Sequence, residues 1–208
     1  MMEFNAEQAR ILAEIMLWRR DVRHFLTDPV PEAVLDRLRL AMDHAPSVGN
    51  ARPWRVIRVE SPALRGAVRA EFTRCNQEAA ASYEGEQAGA YAKLKLAGLD
   101  AAPVQLAVFT ETDPEAGHRL GRATMELTLQ QSTAMAIFAL WLAARAENLG
   151  LGAVSILEPA VIERLFGVPA HWEFSAYLCI GKPAFTDDTP LLHRAAWQRN
   201  EETVWERR

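Results

Sequence analysis

The chain has 208 residues, half of them hydrophobic, with a net charge of −4 and a sequence pI near 5.8. That length suits a single packed domain over residues 1–208. The acidic balance argues against a nucleic-acid or anionic-membrane surface, and the longest apolar run, 134–144, is too short to span a bilayer.

Residues 6–18 carry Ile11, Ile15 and Trp18 at helical spacing. A second helix is expected from Pro31 to about His44, with Val34, Leu35, Leu38 and Met42 on one side. Residues 45–53, rich in Pro, Gly, Ser and Asn, read as a loop, and 54–60 as a strand. Residues 61–82 and 86–99 read as polar, surface-covering helices. Residues 104–110 form a compact apolar strand. A long helix is expected over 120–148, apolar on nearly every side between 134 and 144 and therefore central and enclosed. A turn and short strand follow at 150–157, a helix at 159–166 stopped by Gly167, a buried strand at 174–180, and an arm from 183 to the end. Strands interleaved with helices give an α+β class, a central mixed sheet covered by helices around a long buried one.

Several chemistries find no support. There is no G-x-G-x-x-G after a strand, no P-loop, no H-x-x-x-H and no G-x-S-x-G. Cys75 and Cys179 are far apart and form no C-x-x-C, so neither zinc nor a disulfide framework is expected. The N-terminus lacks an apolar signal core, and the chain reads as cytoplasmic. Only Lys93, Lys95 and Lys182 are lysines among 23 basic residues. That arginine bias is compatible with anion recognition, though a GC-rich genome is the simpler cause.

Three segments could carry chemistry. Arg19-Arg20-Asp21-Val22-Arg23 follows the first helix. Whether extended or helical, it places Arg19 and Arg23 on one side, and a carboxylate among such cations can accept a proton beside a clamped phosphate. A solvated helix end fits the same spacing. The loop 45–54 offers backbone N–H groups, the Ser47 hydroxyl and the Asn50 amide, which suit the edge of a planar heterocycle, though an ordinary turn needs the same residues. Gly150-Leu151-Gly152 leads into a strand whose end carries Ser155. A buried serine commonly just bonds the backbone.

Together these segments resemble the nitroreductase-like flavoproteins, and among them the 5,6-dimethylbenzimidazole synthases. The resemblance is carried by Arg19-Arg20-Asp21-Val22-Arg23, by the Pro-Ser-x-x-Asn-x-x-Pro-Trp loop from Pro46 to Trp54, and by Leu120-Gly121-Arg122. It is carried further by Leu140-Trp141-Leu142-Ala143-Ala144-Arg145-Ala146-Glu147 and by Val154-Ser155-Ile156. Residues 91–99 are similar to that family's lid, and Trp197 with Arg199 to its C-terminal basic arm. Arg52, Ala153 and Leu129-Gln130-Gln131 depart from the family pattern.

The resemblance implies an oxidoreductase for which reduced FMN is the substrate. With dioxygen, and with no metal, FMN is fragmented to 5,6-dimethylbenzimidazole, the lower ligand of cobalamin, and erythrose 4-phosphate. It implies Asp21 as the base and Ser155 as a hydrogen-bond donor near the ring. Arg19, Arg20, Arg23 and Arg199 are implied at the phosphate and ribityl chain, with Pro46, Ser47 and Asn50 at the flavin. It also implies a lid at about 85–99, an arm at about 184–208, a homodimer with flavin at the interface, and a separate flavin reductase supplying reduced FMN. Two other readings stay open: an NAD(P)H-dependent nitroreductase or flavin reductase, and a non-enzymatic flavin-binding protein.

Overall fold

The computed structural model describes residues 2–94 and 96–208. Helix α1, Ala6–Trp18, begins with a reciprocal cap in which Asn5 and Gln8 each accept the other's backbone N–H. Helix α2, Glu32–Asp43, starts after Pro31, which has no N–H to leave unsatisfied. Strand β1 is Trp54–Arg58, and α3, Pro62–Ala80, is capped by the Ser61 hydroxyl. Helix α4, Gly85–Ala92, precedes β2, Val104–Glu111. Then come α5, Thr128–Ala146, β3, Gly150–Val154, and α6, Pro159–Phe166, the last stopped by Gly167 at φ 60°. Strand β4, Trp172–Gly181, and the short α7, Leu191–Arg194, complete the chain order.

The sheet runs β1-β2-β4-β3, and every neighbouring pair of these strands is antiparallel. The parallel component expected of a mixed sheet is confined to one bridge, Asp21 to Leu151, on the free edge of β3. Alternation along the central strands divides the core. Ala107, Phe109, Tyr177 and Cys179 face one layer with Val68 of α3 and Ile162 of α6. Val104, Val108, Leu178 and Ile180 face the other with Leu38 and Met42 of α2 and Ala136 and Leu140 of α5. Cys179 is fully buried, and burial pushes its thiol up to about 12, so it packs as a small apolar group.

Three expectations need correction. The long helix begins at Thr128 rather than 120: Gly121 takes positive φ, which a right-handed helix cannot include, and residues 122–127 form turns rather than helix. Nor is α5 enclosed within the chain: Met135 and Phe138 are each 43% exposed. The helix expected over 86–99 ends at Ala92. Beyond it the backbone is drawn against the 23–25 segment, where a Cβ at Gly98 would lie 2.3 Å from the Phe25 ring. Lys95, within the expected lid, lies outside the described residues.

Candidate functional site

The segment after α1 is extended, which decides between the two conformations open from the sequence. Its backbone joins the β3 edge, with the Val22 N–H donating to the Leu151 carbonyl at 3.0 Å. The approach is close. A Cβ on Gly152 would sit 2.1 Å from the Val22 carbonyl oxygen, and one on Gly150 2.7 Å from the Val22 side chain. Gly150-Leu151-Gly152 is thus a docking surface for the arginine-rich segment, glycine because nothing larger fits.

Asp21 and Arg23, two apart on an extended chain, point to the same side. The Asp21 Oδ2 receives the Arg23 guanidinium through Nε at 2.9 Å and its terminal nitrogen at 2.8 Å. The other oxygen, Oδ1, accepts the Ala153 backbone N–H at 3.0 Å. A carboxylate has about four acceptor positions, so the remaining capacity lies on Oδ1. Arg19 stacks on Trp141, 5.1 Å from the ring centroid, and its buried Nε has no hydrogen-bond partner among the described residues.

Arg20 differs. All three of its nitrogens donate to backbone carbonyls: Nε and one terminal nitrogen to Asp188, the other to Arg19. It holds the C-terminal arm over the segment. Partial burial and the neighbouring Arg19 lower its pKa from the usual arginine value.

Arg19, Arg20, Asp21 and Arg23 line one cleft with Trp141, Arg145 and Arg194. The sequence around Arg145 and Arg194 does not by itself mark them as site residues, although Arg145 belongs to the quoted Leu140–Glu147 string. Arg194 pairs with Asp187 at 2.9 Å. With five arginines against Asp21 and Asp187, the cleft carries excess positive charge and an unsatisfied buried donor, which fits a phosphorylated ligand.

The other expected site residues lie apart from this cleft. Ser155 follows the last residue of β3 and is exposed rather than buried, because the chain leaves the sheet at Val154. Its hydroxyl has no partner among the described residues. Pro46, Ser47 and Asn50 sit in a loop whose Val48 N–H donates to Ser132 Oγ at 3.0 Å. Arg20, by contrast, receives Trp141 Nε1 on its carbonyl. Ser132 and Trp141 are nine residues apart on α5, about 14 Å along the axis. Ser47 Oγ accepts the Arg52 N–H at 3.0 Å, so its own proton stays free, and the exposed Asn50 side chain is unengaged among the described residues. Arg199 is exposed in the arm, and the structure does not bring its side chain to the other arginines. Two residues earlier, Trp197 packs edge-on against Tyr83, with centroids 5.4 Å apart, and Tyr83 stacks on Tyr91 of α4. The arm therefore touches both the arginine cleft and α4.

Comparison with known proteins adds independent findings. The family model described as "Nitroreductase family" matches residues 16–182. A 5,6-dimethylbenzimidazole synthase from Rhodobacter capsulatus is 66% identical over 207 residues, covering 100% of both chains. One from Rhodospirillum rubrum is 51% identical over 187 residues, covering 90% of this chain and 89% of the relative. In structure, the chain is similar to an oxidised iodotyrosine deiodinase bound to FMN and 3-iodo-L-tyrosine. The TM-score is 0.75 and the identity 23%, over 95% of this chain and 99% of that one, a likeness of fold.

Proposed function

The chain belongs to the nitroreductase family, in its 5,6-dimethylbenzimidazole synthase branch, and from that premise we propose that it fragments reduced FMN with dioxygen to 5,6-dimethylbenzimidazole and erythrose 4-phosphate. The observation that carries this reading is Asp21, a carboxylate fixed between Arg23 and the Ala153 N–H inside an arginine-rich cleft. Reduced flavin supplies the electrons that dioxygen takes up and the ribityl carbon chain that is cut, and the remaining pyrimidine-ring atoms of the flavin leave as a third fragment.

Arg19 and Arg23 hold the phosphate end, with Arg20 adding charge while it grips the arm; Arg199, exposed in that arm, joins them only when the arm folds inward. Asp21 Oδ1 accepts a proton from the ribityl chain, oriented for it by the Ala153 N–H. Ser155, with a free hydroxyl, donates to the flavin ring. Pro46, Ser47 and Asn50 meet the ring edge. Residues 85–99 close over the ring and exclude water, strapped by Trp197.

The functional unit is a homodimer. Ile11, Leu12, Met16, Leu17 and Trp18 of α1 and Met135 and Phe138 of α5 are all 40% exposed or more, an apolar cost unless covered. A two-fold partner on this face lets the 45–53 loop of one copy reach the arginine cleft of the other. A separate flavin reductase delivers the reduced substrate in the cytoplasm, and no nicotinamide site is needed. No helix among the described residues is long and apolar enough to cross a membrane.

The test is anaerobic loading with reduced FMN, admission of air, and mass analysis. Dimethylbenzimidazole is the expected product. Brisk NADPH oxidation with intact FMN would instead establish a reductase, and bound FMN unchanged under oxygen a flavin-binding protein.

A further inference from the structure

Arg122 is a buried cation outside the arginine cleft. Its guanidinium donates to the backbone carbonyls of Thr112, at 3.2 Å, and Pro114, at 2.9 Å, and pairs with the Asp113 carboxylate at 2.9 Å. The residue is 7% exposed, and its Nε is buried without a partner among the described residues. Leaving a donor unsatisfied is unfavourable, and the planar fork that spans two carbonyls is what lysine cannot reproduce.

The loop it closes is strained. Gly117, His118, Arg119 and Gly121 take φ of 78°, 47°, 61° and 80°. Non-glycine residues in that region cost on the order of 1 kcal/mol each and persist where the surroundings hold them. The strained loop forms a mould for the 45–53 loop. A Cβ on Gly117 would lie 2.7 Å from the Gly49 carbonyl oxygen, one on Gly49 2.9 Å from that of Gly117, and one on Gly121 2.8 Å from Val48 Cγ2. Val48 and Gly49 separate Ser47 from Asn50, and Asn50 is itself held at φ 54°.

We infer that Arg122 is a positioning residue for flavin-ring recognition: by closing the 112–122 loop it holds the Gly117–Gly121 mould that sets the Asn50 amide and the Ser47 hydroxyl. This inference rests on the reading that the 45–53 loop meets a flavin ring. Arg122 acts on the ring end alone, since the arginine cleft contacts the far half of α5.

The experiment is fluorescence titration of the full chain with oxidised FMN and with riboflavin. Arg122→Met should weaken both ligands by the same factor, roughly three- to tenfold, the worth of one misplaced hydrogen bond. In an Asn50→Gly background, which removes the amide without backbone strain, Arg122→Met should cause a clearly smaller further loss, the part that acts through Ser47. If Arg122→Met does not fold, Arg122→Lys retains the charge and should show a smaller loss with the same two signatures. Losses that add fully to Asn50→Gly, or that fall on FMN alone, would overturn the inference while leaving the functional reading intact. Absence of flavin binding by the unmodified protein would overturn that reading and the inference with it.

Discussion

The Ala153 backbone N–H donates to Asp21 Oδ1 at 3.0 Å, tying a carboxylate from the segment after α1 to the strand that runs directly into Ser155. Two residues 132 positions apart in sequence are thereby held on one rigid edge. That coupling gives Asp21→Asn a specific outcome. The asparagine oxygen can keep the Ala153 contact, but its NH2 then faces the Arg23 guanidinium, donor against donor. The variant should still bind reduced FMN and consume it with oxygen, releasing oxidised FMN and hydrogen peroxide. Loss of the base should lower dimethylbenzimidazole formation by about two to four orders of magnitude, measured by product mass. Ser155→Ala should divert less. Near-normal product from Asp21→Asn would make Asp21 structural.

Arg19 and Arg23 are expected to act on the phosphate. Arg19→Ala or Arg23→Ala should weaken FMN binding by about 1.5–3 kcal/mol each, the worth of a hydrogen bond to a charged group. Riboflavin should bind weakly to the unmodified chain and lose little more in either variant. Equal losses for the two ligands would assign these arginines to the fold instead. Arg23→Ala also strips Asp21 of a partner, so its product yield should fall further than its affinity alone accounts for.

Assembly is tested at the exposed apolar face. Phe138→Asp places a charge where a partner is expected and should shift the particle from dimer to monomer in light scattering at micromolar concentration. Flavin affinity should fall with it if the 45–53 loop is supplied by the second copy. A monomeric unmodified chain that binds flavin fully would show that one copy suffices.

Glu71 gives a pH prediction away from the site. Buried on α3, it accepts two bonds from the Arg74 guanidinium, one from the Cys75 thiol and one from the Glu158 N–H that opens α6. The Arg74 guanidinium, foremost, holds its carboxyl at about 2, below the usual 4.5. A carboxylate depressed in the folded state stabilises fully above its unfolded pKa, and that contribution disappears as pH falls toward 2. Glu71→Gln should therefore lower stability at pH 7 by about 1–3 kcal/mol in denaturant melts. The gap to the unmodified chain should close between about pH 4.5 and 2. A gap that persists at pH 2 would mean packing, not charge, is what Glu71 contributes.

Much of this architecture is written in local pattern. The caps at Asn5 and Ser61, the proline before α2, the glycine after α6 and the apolar alternation of β2 and β4 are each decided by a few neighbouring residues, so boundaries read from sequence fall within a residue or two of those observed. The motif strings sufficed to identify the family, since they record side-chain identity directly. Tertiary structure decided what depends on partners distant in sequence. Residues 120–127 carry a helical pattern, yet α5 starts only after them: Gly117 and Gly121, both at positive φ, pack against the 48–51 segment, and residues 122–127 form turns before the helix begins. The run 134–144 looks wholly apolar, yet one side of it faces outward. Ser155 reads as buried because its neighbours are, but the sheet ends one residue earlier. Arg145 and Arg194 join Arg19, Arg20 and Arg23 only because α5 and the arm end at the same cleft. Periodicity reports which faces of an element are apolar, whereas only the folded chain fixes which of those faces meet, because contacts between distant segments are set by how all the elements pack at once.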